Sequence, residues 1–259
     1  MNLVALKFQR LRETGKKAFI PYIMGGDPDL ARLPRLLECL AKSGVDLIEV
    51  GVPFSDPLAD GPVIQSAGAR ALQNGCTLGK LLDTLKPVAF GLGVPVILMI
   101  YYNQVLQRGL NRFMEEAKEA GCAGLIIPDL PPDAGGELRE LANNFEIGLN
   151  FLVAPTSKDE RIKAAAQAST GFLYAVSLKG VTGVRNNLPP ELPDFIGQVK
   201  RLSERPVAVG FGIATPEQAR LVSGLADGVI VGSAIVKAAA ENAGLDKVQS
   251  LVKELREAI

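Results

Sequence analysis

Residues 95–100 read Pro-Val-Ile-Leu-Met-Ile, six apolar residues in succession. A strand that is apolar throughout, without the alternation of a half-exposed strand, is typical of a parallel sheet covered on both faces. Other short apolar runs, rich in β-branched residues, recur along the chain and indicate further strands. The run 95–100, extended by one residue at each end, gives a predicted strand over 94–101. The other predicted strands are residues 18–24, 47–50, 123–127, 147–153, 172–176, 207–209 and 228–231.

Amphipathic stretches with helical spacing lie between these strands. They cover residues 30–43, 78–90, 111–120, 133–143, 159–168, 216–222 and 233–242, and one further helix is predicted at each end, over 2–14 and 246–258. Eight strands that alternate with helices favour an α/β fold of the (β/α)8 TIM-barrel type, with extra N- and C-terminal helices, over an open doubly wound sheet. Because no linker interrupts the pattern, we expect residues 1–259 to form a single domain. Neither a dinucleotide-binding nor a P-loop glycine motif occurs.

The composition excludes several classes of function. The chain has 259 residues, 28 Lys and Arg against 28 Asp and Glu, and 47% hydrophobic residues. A disordered chain is therefore excluded, and no nucleic-acid partner is expected. Histidine is absent, which excludes Ser-His and Cys-His nucleophile pairs and His-ligated metals. Cys39, Cys76 and Cys122 lie far apart without a C-x-x-C motif, so no disulfide framework and no metal site is expected.

The sequence also predicts a location. Residues 1–20 mix apolar with charged residues, unlike a signal peptide, and no apolar run approaches about 18 residues. The three cysteines are interpreted as buried thiols in a reducing compartment. We therefore expect a cytoplasmic protein with no membrane partner.

Glu49 is the first candidate for chemistry. It lies near the carboxyl end of the apolar run 47–50, where a barrel interior is costly for an ionised group. One interpretation is structural, with Glu49 paired to a Lys or Arg on a neighbouring strand. The alternative is that burial raises its pKa, so that the group holds a proton near neutral pH and can first donate and then accept it.

The segment 51–62 follows, with sequence Gly-Val-Pro-Phe-Ser-Asp-Pro-Leu-Ala-Asp-Gly-Pro. Its prolines stiffen it, and Asp56 and Asp60 can form local side-chain turns. Turn formation alone explains most aspartates in such loops. An exposed turn would not usually carry Phe54 and Leu58 as well. We therefore expect an ordered loop that folds over another part of the molecule. This loop and residues 177–190 are the longest connections and are lid candidates.

Glycines follow the last two predicted strands, at Gly210, Gly212 and Gly232. Gly232 and Ser233 leave backbone N–H groups bare at a helix start, where an anion is favoured. The loops after strands seven and eight are also the usual phosphate site of a barrel. Each of these glycine-containing connections from strand to helix is weak evidence when taken alone, because glycine is an ordinary turn former.

Residues 48–62, from Ile48-Glu49-Val50 to Asp60-Gly61-Pro62, resemble the signature of the tryptophan synthase α subunit family nearly unbroken. Similar blocks occur in family order at 26–28, 127–131, 180–183, 210–213 and 232–237. Two departures are mild. Val50 stands where many relatives have Leu, and Tyr22 occupies a position that is often Phe.

The resemblance implies a retro-aldol lyase that cleaves indole-3-glycerol phosphate to indole and glyceraldehyde 3-phosphate. Glu49 would protonate indole C3 and then accept the glycerol hydroxyl proton, and Asp60 would stabilise positive charge at indole N1. Tyr174 would support Asp60 or the ring, although a plain core aromatic explains it equally well. The substrate-binding residues would be Tyr22, Met99, Tyr101, Thr182 and Phe211, and the phosphate-binding residues Gly183, Gly212, Gly232 and Ser233.

The resemblance also implies a β-subunit partner in an αββα heterotetramer. The docking face would include Pro53, Asp56 and Pro57. No cofactor is expected in this chain, and pyridoxal phosphate would lie in the β partner.

Three other hypotheses stay open at this stage. Lys179 follows the sixth predicted strand and could serve a Schiff-base aldolase, although a solvated loop lysine is the commoner case. The barrel could also be a scaffold that activates a partner and has no catalytic turnover of its own. Such a scaffold would not need an ionisable group in an apolar strand. A free-standing indole-producing lyase would be fully active without a partner.

Overall fold

The computed structural model describes residues 1–176, 188–210, 212–241 and 245–259. Over these ranges the strand segments form one parallel sheet in the order β5-β4-β3-β2-β1-β9-β8-β7-β6. The segments are β1 (Ala18–Met24), β2 (Ile48–Gly51), β3 (Val96–Met99), β4 (Cys122–Ile126), β5 (Gly148–Asn150), β6 (Leu152–Val153), β7 (Leu173–Val176), β8 (Val207–Gly210) and β9 (Gly228–Val231).

The predicted fifth strand, 147–153, is split in two. Its first half, β5, pairs with β4, and its second half, β6, pairs with β7, so the two ends of the sheet belong to one strand and the sheet closes into a barrel. The break falls at Phe151, whose N–H donates to the Ser169 hydroxyl at 3.0 Å and not to a strand. Asn150 bridges the junction, because its amide donates to the Leu125 carbonyl at 3.1 Å and accepts the Phe172 N–H at 2.8 Å.

The helices of the described residues surround this sheet. They are α1 (Leu3–Glu13), α2 (Leu33–Lys42), α3 (Pro62–Gln73), α4 (Leu78–Leu85), α5 (Tyr102–Arg108), α6 (Leu110–Glu119), α7 (Gly136–Asn144), α8 (Asp159–Ala168), α9 (Leu192–Leu202), α10 (Pro216–Leu225), α11 (Ser233–Ala240) and α12 (Asp246–Ala258), with 3-10 turns at Leu30–Arg32 and Ala89–Gly91. No helix in these ranges is both long enough and apolar enough to span a bilayer. The α/β barrel with an extra helix at each end is therefore confirmed.

Helices α3, α5 and α9 were not predicted. Helix α3 buries mostly small residues, including Ala67, Gly68 and Ala71, so its apolar face is weak in the sequence. Helix α5 has only seven residues. Helix α9 carries a clear signal, since Leu192, Phe195, Ile196 and Val199 repeat at helical spacing and are all buried.

The two terminal helices close and brace the barrel. Val4 of α1 is fully buried, and a Cβ at Gly171 would lie 2.8 Å from its side chain, so α1 packs tightly on the amino end of the barrel. Helix α12 packs on α2, α10 and α11. Its Arg256 donates to the Asp46 carboxylate at 2.7 Å, and Asp46 also accepts the Phe19 N–H at 2.9 Å. The opposite end, where the strands finish, is left open for a site.

Candidate active site

A cavity opens at the carboxyl ends of the strands, which is the usual location of active sites in barrels of this type. Eight of its lining residues were predicted from the sequence: Tyr22, Glu49, Asp60, Met99, Tyr174, Gly212, Gly232 and Ser233. Ile64 and Ile230 also line it and were not predicted. Ile230 lies two residues before Gly232, so the alternation of a strand could have found it. The predicted Thr182, Gly183 and Phe211, and Lys179 of the aldolase hypothesis, lie outside the described residues.

Glu49 lies on β2 and lines the cavity, in register with Tyr22 of β1 and Ile97 of β3. Its side chain is fully buried, and neither carboxyl oxygen has a hydrogen-bond partner among the described residues. Within those residues, the ion pair of the structural interpretation is not formed. Burial, followed by the negative charge of Asp60, raises the pKa of Glu49 from 4.5 to about 8. The carboxyl group therefore holds its proton at neutral pH.

Asp60 closes the loop that follows β2 and lies just before α3. The residue is 7% exposed. Burial raises its pKa from 3.8 to about 6, and a hydrogen bond from the Tyr101 hydroxyl limits that rise because it stabilises the carboxylate. Two neighbouring carboxyl groups thus differ in proton affinity. Near pH 7, Glu49 is mainly protonated and Asp60 is mainly ionised.

Tyr101 lies behind Asp60 and is not among the residues that line the cavity. Its hydroxyl accepts the Ala59 N–H at 3.0 Å, and Phe54 stacks on its ring with 5.0 Å between centroids. Through these contacts Tyr101 fixes the loop beside Asp60, and its predicted contact with the substrate stays a prediction. The sequence could not reveal this role, because it depends on how residues 51–61 fold back over β3.

The loop itself is ordered by main-chain contacts. The Val52 N–H donates to the Met99 carbonyl at 2.8 Å, and the side-chain amide of Gln104 donates to the Pro53 main-chain carbonyl at 3.0 Å. Of the predicted partner-facing residues, Asp56 is exposed, Pro57 is half-buried and Pro53 is buried. Leu58, which was not assigned to the partner face, is 79% exposed.

Two tyrosines cross the cavity and each needs a glycine opposite it. A Cβ at Gly51 would overlap the hydroxyl of Tyr22, and a Cβ at Gly210 would overlap the hydroxyl of Tyr174. Burial is the largest cause that raises the pKa of Tyr174, and the charges of Glu49 and Asp60 add to it. Tyr174 is thus a buried aromatic that also lines the cavity.

The far end of the cavity is built from backbone. Gly212 has φ of +79°, a conformation that side chains other than glycine adopt only with strain. Gly232 caps α11 without a side-chain hydrogen bond, whereas Thr215 closes a full capping box on α10. The first-turn N–H groups of α11 therefore have no side-chain cap and lie where an anion would be stabilised.

The arrangement combines a proton donor, a carboxylate and an anion-binding end in one cavity. In the described part of the chain, no group of three or more His, Cys, Asp or Glu side chains could hold a metal ion. The proton donor and the carboxylate are groups suited to proton transfer and charge stabilisation, and the backbone end is suited to an anion.

Comparison with known proteins gives a consistent result. The family model described as the tryptophan synthase alpha chain matches residues 8–259. The tryptophan synthase alpha chain of Synechocystis sp. is 45% identical with full coverage of both chains, and that of Geobacter sulfurreducens is 43% identical, covering 100% of this chain and 99% of the relative. Among solved structures, a Mycobacterium tuberculosis tryptophan synthase chain superposes with a TM-score of 0.92 and 38% identity over 99% of this chain and 98% of that one. Tryptophan synthase subunit alpha from Legionella pneumophila gives a TM-score of 0.91 and 36% identity, covering 100% and 98%.

Proposed function

This chain belongs to the tryptophan synthase alpha chain family, and from that premise we propose that Glu49 and Asp60 carry out its reaction. The reaction is the lyase step of the family in tryptophan biosynthesis, the retro-aldol cleavage of indole-3-glycerol phosphate to indole and glyceraldehyde 3-phosphate. The observation that carries the residue assignment is the buried Glu49 carboxyl, which has no partner among the described residues and faces the cavity beside Asp60.

The chemistry needs one acid and one carboxylate. Glu49 gives its proton to indole C3, and the ring then carries positive charge at N1. The bond between C3 and the adjacent carbinol carbon breaks, its electron pair returns to the ring, and the carbinol hydroxyl becomes the aldehyde as its proton passes to Glu49. Because the proton returns to the same carboxyl group, Glu49 is ready for the next turnover.

The pKa of Glu49, raised to about 8, supports this sequence because the group is protonated at neutral pH. A pKa near the working pH also lets the same group donate and then accept.

Asp60 supplies the opposite charge. As a carboxylate it accepts the indole N–H and stabilises the positive ring in a site that excludes water. Tyr101 positions it by a hydrogen bond, and Tyr174 packs beside it as a supporting aromatic. Met99 and Tyr22 contact the remainder of the substrate, and we assign Thr182 and Phe211 to the same pocket by family position.

The phosphate group binds at the backbone end. Gly212, Gly232 and Ser233 line that end of the cavity, and α11 directs its uncapped N-terminus there. Gly183 is assigned to the same cradle by family position. A phosphate held at this distance from the carboxyl groups orients the reacting carbon between them.

The family also implies a β-subunit partner. We propose an αββα heterotetramer in which the exposed loop residue Asp56 and the half-buried Pro57 meet the β subunit. Pro53 would act there through the backbone it fixes, since its side chain is buried. The residue roles proposed above need no cofactor in this chain, and pyridoxal phosphate would belong to the β subunit. A single domain and a cytoplasmic location remain predictions from the sequence.

The test is indole release by Glu49→Gln and Asp60→Asn, alone and with β subunit. Glu49→Gln is expected to lose turnover by at least about 100-fold, the usual contribution of a general acid, while it still binds a substrate analogue. Asp60→Asn is expected to show a large but incomplete loss. Glu38→Gln is the matched control, because it makes the same change at an exposed carboxylate of α2.

Near-normal turnover in Glu49→Gln would remove the assignment. So would borohydride trapping of a substrate adduct at Lys179, since this is the signature of a Schiff-base route. The partner is tested in the same assay, in which added β subunit is expected to accelerate indole release by ordering the loop over the site.

A further inference from the structure

Tyr22 brings into the cavity a hydroxyl group that the proposed chemistry leaves without a role. The residue is 6% exposed and lines the cavity, and its hydroxyl makes no hydrogen bond with the described residues. The Tyr101 hydroxyl differs, since it accepts the Ala59 N–H. Glu49 also lacks a partner there. Polar groups that line a cavity without a protein partner are available to a ligand, so one ligand can bond to both of these groups.

The Tyr22 side chain spans the cavity from one functional end to the other. Its ring begins at the phosphate end, where a Cβ at Gly232 would lie 3.5 Å from Tyr22 Cβ and Cδ1. Its hydroxyl reaches the carboxyl end and lies against Gly51. In the sheet, Tyr22 is the register partner of Glu49. The side chain therefore lies along the stretch of substrate that connects the reacting carbon to the phosphate, with its hydroxyl at the end of that stretch nearer the reacting carbon.

The substrate offers a group at that place. Indole-3-glycerol phosphate has an indole N–H, two hydroxyls and a phosphate. The proposed function assigns the N–H to Asp60, the hydroxyl beside the ring to Glu49 and the phosphate to backbone amides. The second hydroxyl, one carbon nearer the phosphate, has no assigned partner.

We propose that the Tyr22 hydroxyl donates a hydrogen bond to this second hydroxyl and thereby selects a hydroxylated three-carbon chain over a deoxygenated one. The inference rests on the proposed function, since that function fixes where the other polar groups bind. Burial raises the pKa of Tyr22 well above 10, which keeps the phenol protonated and able to donate.

The second hydroxyl is neither formed nor consumed in the cleavage. Its hydrogen bond is therefore equally strong in the bound substrate and in the transition state, and its loss should appear in KM and not in kcat. Tyr22 would accordingly be a specificity residue that contacts substrate, without a part in the proton transfer.

The experiment compares Tyr22→Phe with the unchanged chain, using two ligands. The KM for indole-3-glycerol phosphate, measured by indole release, is expected to rise about 3- to 10-fold with kcat nearly unchanged, as for one neutral hydrogen bond. The Kd for indole-3-propyl phosphate, which lacks both hydroxyls, is measured by calorimetry and is expected to be the same in both proteins. Tyr102→Phe is the matched control, because it removes a phenol hydroxyl outside the cavity lining and should change neither value.

Each other outcome contradicts the proposal. An unchanged KM would show that the hydroxyl makes no useful bond, and equal weakening of both ligands would show that Tyr22 acts only through packing. A fall in kcat at unchanged KM would place Tyr22 in the chemical step instead. Thermal unfolding of Tyr22→Phe checks that the variant is folded. Failure of the proposed function would appear separately, as retained turnover in Glu49→Gln.

Discussion

Replacing Tyr101 by Phe tests how the loop controls the charge of Asp60. The change removes the hydroxyl that donates to the Asp60 carboxylate and leaves the ring that stacks on Phe54. Without this donor the carboxylate is less stable, so the pKa of Asp60 should rise above its present value of about 6. A hydrogen bond to a charged group is worth about 1.5–3 kcal/mol, which corresponds to a rise of about 1 to 2 pKa units.

The rise has a defined effect on activity, because the role proposed for Asp60 requires its ionised form. With a rise of about 1.5 units, the ionised fraction at about pH 6.5 falls from about three quarters to about one tenth, so kcat/KM there should fall about eightfold. Near pH 8 the additional loss should be less than about twofold. The alkaline side of the profile, set by deprotonation of Glu49 with its pKa of about 8, should move little.

The assay is kcat/KM for indole release, measured from about pH 5 to about pH 9 for the unchanged chain, Tyr101→Phe and Tyr102→Phe. The expected result is an acid limb displaced to higher pH in Tyr101→Phe alone. Loss of the acceptor for the Ala59 N–H could lower activity at every pH, but it would not displace the limb. An acid limb that stays near its original position would refute the argument that Tyr101 sets the charge of Asp60.

Two further predictions concern the fold and the anion-binding end. Arg256→Met removes the 2.7 Å hydrogen bond to Asp46 and should lower the free energy of unfolding, measured by urea titration, by about 1–3 kcal/mol. The control Arg35→Met, on an exposed face of α2, should lower it by less than about 0.5 kcal/mol. Equal stability of the two variants would contradict the bracing role of α12. Gly212→Ala places a side chain at φ of +79° beside the cavity, so it should raise KM and lower the free energy of unfolding by about 1–2 kcal/mol. The control is Gly93→Ala, at φ of +72° with open space around it, which should lower the free energy of unfolding by a similar amount and leave KM unchanged. A normal KM in Gly212→Ala would remove that residue from the phosphate cradle.

The barrel could be predicted from the sequence because its strands are buried on both faces. Such strands are short apolar runs, and the run 95–100 is the clearest of them. The split of the fifth strand could not be predicted, since it depends on the Ser169 hydroxyl, which reaches Phe151 only in the folded chain. Helix α3 was not predicted from the sequence, because alanine and glycine make up much of its buried face.

The candidate site divides in the same way. Glu49 could be predicted because a single carboxyl group in an apolar strand is costly unless it has a task. Gly232 and Ser233 could be predicted from their place at a helix start after the last strand. The positioning role of Tyr101 and the open hydroxyl of Tyr22 depend on which groups meet across the cavity. The spacing of residues along the chain does not show which side chains contact each other across the cavity.

The most direct measurement is the titration of the Glu49 carboxyl itself. Carbon-13 NMR of the chain labelled at glutamate carboxyl carbons would follow this group against pH, with Glu49→Gln used to assign its signal. The expected midpoint is near pH 8, because burial and the charge of Asp60 hold the proton on Glu49. A midpoint near the ordinary value of 4.5 would contradict it, since Glu49 would then be ionised at neutral pH and would have no proton to give to the indole ring.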